Sequence, residues 1–212
     1  MNINVFGARG SIPTPLTQEE YGQKIRETLA LYSASREKDI EKFIKQIPPE
    51  LSRISGGNTS CIEIEDEEVN DKIIIDAGSG LRVLGGKYLN SNNLTIHIFI
   101  SHFHWDHICG TPFFKPLYNP TNKVIFYSAC DNMIENLERQ QHPAHFPISF
   151  KSLPAVKSFV KLDLQKTYQL AGFSIRSVDM RHPGGSTSYV FSKNGKKISY
   201  VTDTEFTPDN KA

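Results

Sequence analysis

Six consecutive residues of this chain hold four groups able to bind divalent cations: His102, His104, Asp106 and His107, in the run His102-Phe103-His104-Trp105-Asp106-His107. Neutral imidazole nitrogen and carboxylate oxygen are the donors that zinc takes, and they also suit iron and manganese. In an extended segment, side chains two residues apart point the same way, so His102 and His104 can grip one cation together. Once the chain turns, the adjacent Asp106 and His107 can face a second cation nearby. A polar loop could use histidines merely to satisfy hydrogen bonds, but three of them with an aspartate, directly after an apolar strand, exceed that need. Two more donors stand downstream. His182 lies in Arg181-His182-Pro183-Gly184-Gly185, and Asp203 closes Tyr200-Val201-Thr202-Asp203. Alone, His182 reads as a loop residue and Asp203 as a turn or cap. Only the cluster at 102–107 raises both to candidate ligands, and a carboxylate such as Asp203 can bridge two cations.

The elements that must position these groups are β-rich. Residues 2–6 alternate polar and apolar, Cys61–Glu65 and Lys72–Ile75 are short strands joined by an acidic turn, and Leu94–Ile100 runs straight into the histidine cluster. Further strands are expected at Val124–Tyr127, Phe173–Val178, Ser188–Phe191 and Lys197–Val201, with a helix at 130–141 and a Pro-rich loop over 142–158. Lys193-Asn194-Gly195-Lys196 has the chemistry of a tight hairpin turn. Between the first strands, residues 17–50 form a helical insert: Thr17 and Glu20 make a capping box, and Tyr21, Ile25 and Leu29 share one helical face. This is an α/β chain whose special residues fall at strand ends, and it reads as a single domain over residues 1–212.

Composition narrows the classes. With 24 Lys plus Arg against 23 Asp plus Glu, the net charge of +1 excludes a globally basic nucleic-acid coat. No apolar run reaches membrane-spanning length, and no secretory signal is visible at the N-terminus. Three scattered cysteines, Cys61, Cys109 and Cys130, do not form a disulfide framework, so a cytoplasmic setting is expected.

The run at 102–107 matches the His-x-His-x-Asp-His signature of the metallo-β-lactamase superfamily, and His182 and Asp203 fall where that superfamily places its next ligands. Within it, the chain resembles the branch of RNase Z and the cyclic-nucleotide phosphodiesterase-like hydrolases. That likeness is carried by Gly7–Pro13, Gly56–Cys61, Ile75–Gly80, His107–Phe114 and Thr202–Glu205. The resemblance implies an αββα four-layer sandwich holding two divalent metal ions, zinc first, with manganese or iron as alternatives. His102, His104 and His182 would hold the first metal, and Asp106 and His107 the second, with Asp203 bridging. Asp106 and Asp203 are also the candidate catalytic residues. The implied activity is hydrolysis of a small or cyclic-nucleotide phosphodiester by metal-activated hydroxide. RNA cleavage, hydrolysis of another ester, thioester or lactone, and a non-catalytic metal-binding role are the alternatives. The expected partner is a small-molecule phosphodiester, RNA being the weaker choice. A homodimer is also expected, and a membrane partner is not.

Other residues read more plainly. Asp76 stands at a strand end, where orienting a ligand imidazole and capping a turn are equal prospects. Cys109 and His97 read as packed residues, while His142 and His145 are loop residues within reach of a substrate. The family's final ligand histidine lies beyond the bridging aspartate, and the nine residues after Asp203 contain none. The expectation is therefore a C-terminally incomplete version of the fold, with a weaker second metal position and either apolar sheet surface or an unpaired edge left open.

Overall fold

The computed structural model describes residues 1–52 and 57–205. Gly56 of the Gly56–Cys61 motif and the tail from Phe206 to Ala212 lie outside the described residues.

The larger of two sheets runs in the order β1 (Asn2–Gly7), β2 (Cys61–Glu65), β3 (Lys72–Ile75), β4 (Thr95–Phe99), β5 (Lys123–Ser128) and β6 (Val156–Lys161). Its first three strands pair antiparallel, and β3 through β6 pair parallel. Parallel strands are covered on both faces and so need apolar residues at successive positions. Ile73-Ile74-Ile75 and Ile96 to Ile100 supply them. Ile74, Ile96, Ile98 and Ile100 meet a helical layer, while Ile73, Ile75 and Phe99 turn to the opposite side.

That helical layer comprises α4 (Gly80–Lys87) and α6 (Met133–Gln140), which bury Leu81, Leu84 and Leu137 completely. The smaller sheet covers the other face. Its order is β10 (Lys196–Tyr200), β9 (Ser186–Lys193), β8 (Phe173–Met180) and β7 (Thr167–Leu170), all antiparallel. Phe173, Ile175, Tyr189 and Phe191 from this sheet form a second core with Ile73, Ile75 and Phe99. The hairpin joining β9 to β10 turns on Asn194 and Gly195, both at positive φ, as the Asn-Gly pair requires.

A sandwich of helices, sheet and sheet results. Arg176, Val178, Lys197 and Ser199 on the far face of the smaller sheet are solvent-exposed, so no described helix forms a fourth layer there. That face is largely polar, so of the two expected alternatives, apolar surface or an unpaired edge, it does not supply the first. The outer edge of β10, however, pairs with no described strand.

The insert forms three helices rather than a pair. α1 (Gln18–Ala34) is opened by the Thr17–Glu20 capping box and closes at Ser35, inside the polar run that separates it from the next helix. α2 (Ile40–Gln46) starts on the Asp39 cap. α2 stops at its cap Ile47, directly before Pro48, and Pro49 opens α3 (Pro49–Ser52), where a missing N–H costs nothing. Within these helices only Phe43 is buried, edge-on to Tyr32, and Tyr21, Ile25 and Leu29 stay exposed. Two strands were not expected from sequence. β6 emerges from the Pro-rich stretch, and β7 is a short, mostly polar edge. Both are edge strands that take their register from β5 and β8, so neither carries a strong period of its own.

Phe99 ties the sheets together. It stacks on Tyr127 at 4.5 Å and meets Tyr189 and Phe191 edge-on at 5.5 and 5.1 Å. Phe99→Ala should lower stability by about 3–5 kcal/mol. Urea unfolding should show a lower midpoint at an unchanged slope.

Candidate metal centre

The cluster begins where β4 ends. Ile100 and Ser101 follow the strand, His102 and His104 come next, and His104, in extended backbone, is the N-cap residue of the short α5 (Trp105–Ile108). Alternation in the extended piece brings the His102 and His104 rings to 4.5 Å, while the first turn of α5 carries Asp106 and His107. The smaller sheet brings the distant donors: His182 follows β8, and Asp203 follows β10.

The structure brings all six predicted donors together. Single ligand atoms of His102, His104, His182 and Asp203 lie within 4.8 Å of one another, and so do those of Asp106, His107 and Asp203. Asp203 belongs to both groups. Its Oδ2 is 3.9 Å from His102 Nε2 and 3.7 Å from His182 Nε2, and its Oδ1 is 3.6 Å from His107 Nε2. His182 Nε2 lies 3.0 Å from His104 Nδ1. One carboxylate thus faces two donor groups.

Tautomers are set from behind. Asp76 is completely buried and sits in the left-handed region at φ 59°. Its Oδ1 accepts the Ser101 N–H at 2.8 Å, and its Oδ2 accepts from Ser101 Oγ at 2.8 Å, His107 Nδ1 at 2.7 Å and Tyr200 OH at 2.5 Å. Because the Ser101 hydroxyl hydrogen goes to Asp76, its oxygen accepts from His102 Nδ1, 3.1 Å away. Both imidazoles therefore carry their proton on Nδ1 and present a bare Nε2 to the cluster. Of the two prospects for Asp76, the imidazole-orienting one is observed, and the following helix α4 starts at Ser79 instead.

Burial lowers the His102 pKa to about 4, assisted by the neighbouring His107, so the ring is neutral at physiological pH. Burial also opposes charge on His107, but the Asp76 hydrogen bond and the surrounding carboxylates outweigh it and raise that pKa. Burial and the Asp76 charge together push the Tyr200 phenol up, which keeps it a proton donor to Asp76.

His102 Nε2 is buried and has no hydrogen-bond partner among the described residues. A buried lone pair left alone is unfavourable, and every group around this one is a cation ligand by chemistry. The donor set fits two divalent cations: His102, His104 and His182 would hold one, Asp106 and His107 the other, and Asp203 both.

The chain around α5 is held tightly. Ala77 N–H donates to His107 O, Gly110 N–H donates to Ala77 O, and a side chain at Gly78 would strike Asp106 O at 2.2 Å. Only glycine permits that approach. Ser11 N–H donates to Asp106 Oδ2 at 2.9 Å, so the first loop also orients a predicted ligand.

The remaining histidines and cysteines stay outside. His97 is buried between Tyr127 OH at 2.9 Å and Asp71 at 3.1 Å. Cys109 contacts Thr59 Oγ1 at 3.5 Å, and His142 and His145 lie exposed on their loop. Sequence reasoning missed Ser101, Tyr200 and Ser11. Ser101 could have been suspected from its place beside His102, but nothing local marks Tyr200, which reaches Asp76 from the other sheet.

The fold and donor set together define a protein of metallo-β-lactamase architecture with a two-part candidate metal centre. Residues 71–212 match the beta-lactamase superfamily domain, and the chain belongs to that superfamily. It is 37% identical over 81 residues to lactamase-like protein nscB of Neosartorya fischeri, an alignment covering 32% of this chain and 24% of that protein. Its fold is similar to the metallo-beta-lactamase fold protein YhfI of Bacillus subtilis, with TM-score 0.58 and 15% identity over 98% of this chain and 64% of that one. It is also similar to human tRNase Z short form, with TM-score 0.56 and 16% identity over 96% and 69% of the two chains. A diphosphatase of the PhnP family shares TM-score 0.56 and 16% identity over 90% and 62%. The chain thus spans about a quarter of nscB and under two thirds of YhfI.

Asp76→Asn removes the charge that locks both imidazoles while keeping the shape. Zinc affinity, measured by chelator competition, should fall about 10–100-fold. Unchanged affinity in a variant with native near-UV circular dichroism would show that Asp76 does not support the site.

Proposed function

We propose that this chain is a metal-dependent hydrolase of phosphodiesters, acting on a small or cyclic-nucleotide-type substrate. The observation that carries this is the convergence of six donors into two groups sharing Asp203. When bound, paired cations supply Lewis acidity and hydroxide at neutral pH, the chemistry that phosphate ester cleavage needs. The chain's own residues do the positioning. Ser101 and Asp76 hold His102 and His107 in the ligating tautomer, Ser11 anchors Asp106, and the half-exposed Asp203 is the carboxylate open to an arriving substrate.

Phosphorus esters are favoured over lactams by the names of two fold neighbours, a tRNase Z and a diphosphatase. A small substrate is favoured over long RNA because polyanion affinity rests on many Lys and Arg contacts, and the net charge is only +1.

Protein reloaded with zinc or manganese should bind metal stoichiometrically and hydrolyse bis(p-nitrophenyl) phosphate. His102→Ala should cut turnover by more than the about 10–100-fold that a supporting residue costs. Bound metal with no turnover of any ester would establish a non-catalytic module instead. Cyclic nucleotides should be cleaved more efficiently than precursor tRNA, and the reverse order would transfer the assignment to an RNA endonuclease.

A further inference from the structure

Two cavities meet the ligand cluster, and their chemistry differs. The one beside His102 and His104, about 450 Å³, is walled by Asp131, Asp179 and neutral groups and has no Lys or Arg in its lining. Its side chains offer an anion no cationic partner. The second, about 380 Å³, opens beside Asp106 and is lined by Ile12, Pro13, Arg82, Trp105 and Phe113 among others. Its volume is near the lower end of small-molecule sites, which start at about 300 Å³, so it suits one ring system and not a polymer.

The second cleft is costly as mere surface. Single exposed apolar residues are ordinary, but Ile12, Trp105 and Phe113 are exposed by 65, 71 and 50% and share one concavity. Such an apolar patch beside polar groups marks a binding site. Arg82 stands exposed in the same wall, and its guanidinium has no carboxylate partner among the described residues. A flat indole face, aliphatic walls and a free guanidinium together recognise a flat apolar ring bearing negative charge.

We propose that this cleft is the subsite for a planar aromatic ring carrying a phosphate. The ring lies against Trp105, the anionic oxygens pair with Arg82, and the ester to be cleaved faces Asp106. This deepens the phosphodiesterase reading and rests on it for the choice of phosphate.

Trp105 is the chain's single tryptophan, so intrinsic fluorescence reports on this cleft alone. The metal-loaded protein is titrated with adenosine 5′-monophosphate and, separately, with ribose 5-phosphate, which has the anion but no ring. Saturable quenching by the first and none by the second is expected. Arg82→Gln should weaken the response about tenfold, as expected for one charge-assisted contact. No saturable change in protein that hydrolyses bis(p-nitrophenyl) phosphate would overturn the subsite, as would equal quenching by ribose 5-phosphate or an unaltered affinity in Arg82→Gln. Ring-dependent, Arg82-dependent quenching in protein without esterase turnover would uphold the subsite and overturn the hydrolase reading instead.

Discussion

A single buried carboxylate organises this molecule. Asp76 is taken out of water entirely, a placement tolerable for a charge only when hydrogen bonds replace its hydration. Four do so, from Ser101 twice, His107 and Tyr200. Each partner belongs to a different piece of structure: the end of β4, the first turn of α5, and the last strand of the smaller sheet. Satisfying Asp76 therefore aligns three segments at once, and the ligand imidazoles inherit their orientation from it.

The sheet topology explains why those segments meet. β3 and β4 are parallel neighbours, so Asp76 and Ser101 leave the sheet at the same edge, where Asp76 N–H donates to Phe99 O. The smaller sheet packs on the same face of β4 that carries Phe99, through Tyr189 and Phe191. That packing delivers the ends of β8 and β10, with His182 and Asp203, over the ends of β4 and α5. The aromatic contacts between the sheets and the donor convergence are two results of one docking. The same region tolerates little variation, because glycine at position 78 lets the backbone of the Asp76 loop touch that of α5.

Electrostatics then separates the two sides of the centre. Carboxylates stand in the cavity near His102 and His104, and the Arg82 guanidinium, without a carboxylate partner among the described residues, stands in the cleft near Asp106. The three-helix insert contributes to neither cavity lining, and its exposed Tyr21, Ile25 and Leu29 show how little of it is buried against the sandwich.

The sequence by itself determined the donors and most of the elements that carry them. Donor chemistry is local: two histidines in alternation followed by a helical turn need only neighbouring residues to face the same space, and the apolar runs of β3 and β4 need only burial on both faces. The capping box at Thr17 and the Asn194–Gly195 turn were legible for the same reason. What tertiary structure alone decided was everything resting on partners far apart in the chain. Tyr200 meets Asp76 across 124 positions and Ser11 meets Asp106 across 95. The edge strands β6 and β7 exist because β5 and β8 offer them hydrogen bonds, not because their own residues alternate. The polarity of the smaller sheet's far face was likewise a matter of which side packs inward. A residue's period reports its local burial, whereas the identity of what buries it is set by the docking of the two sheets.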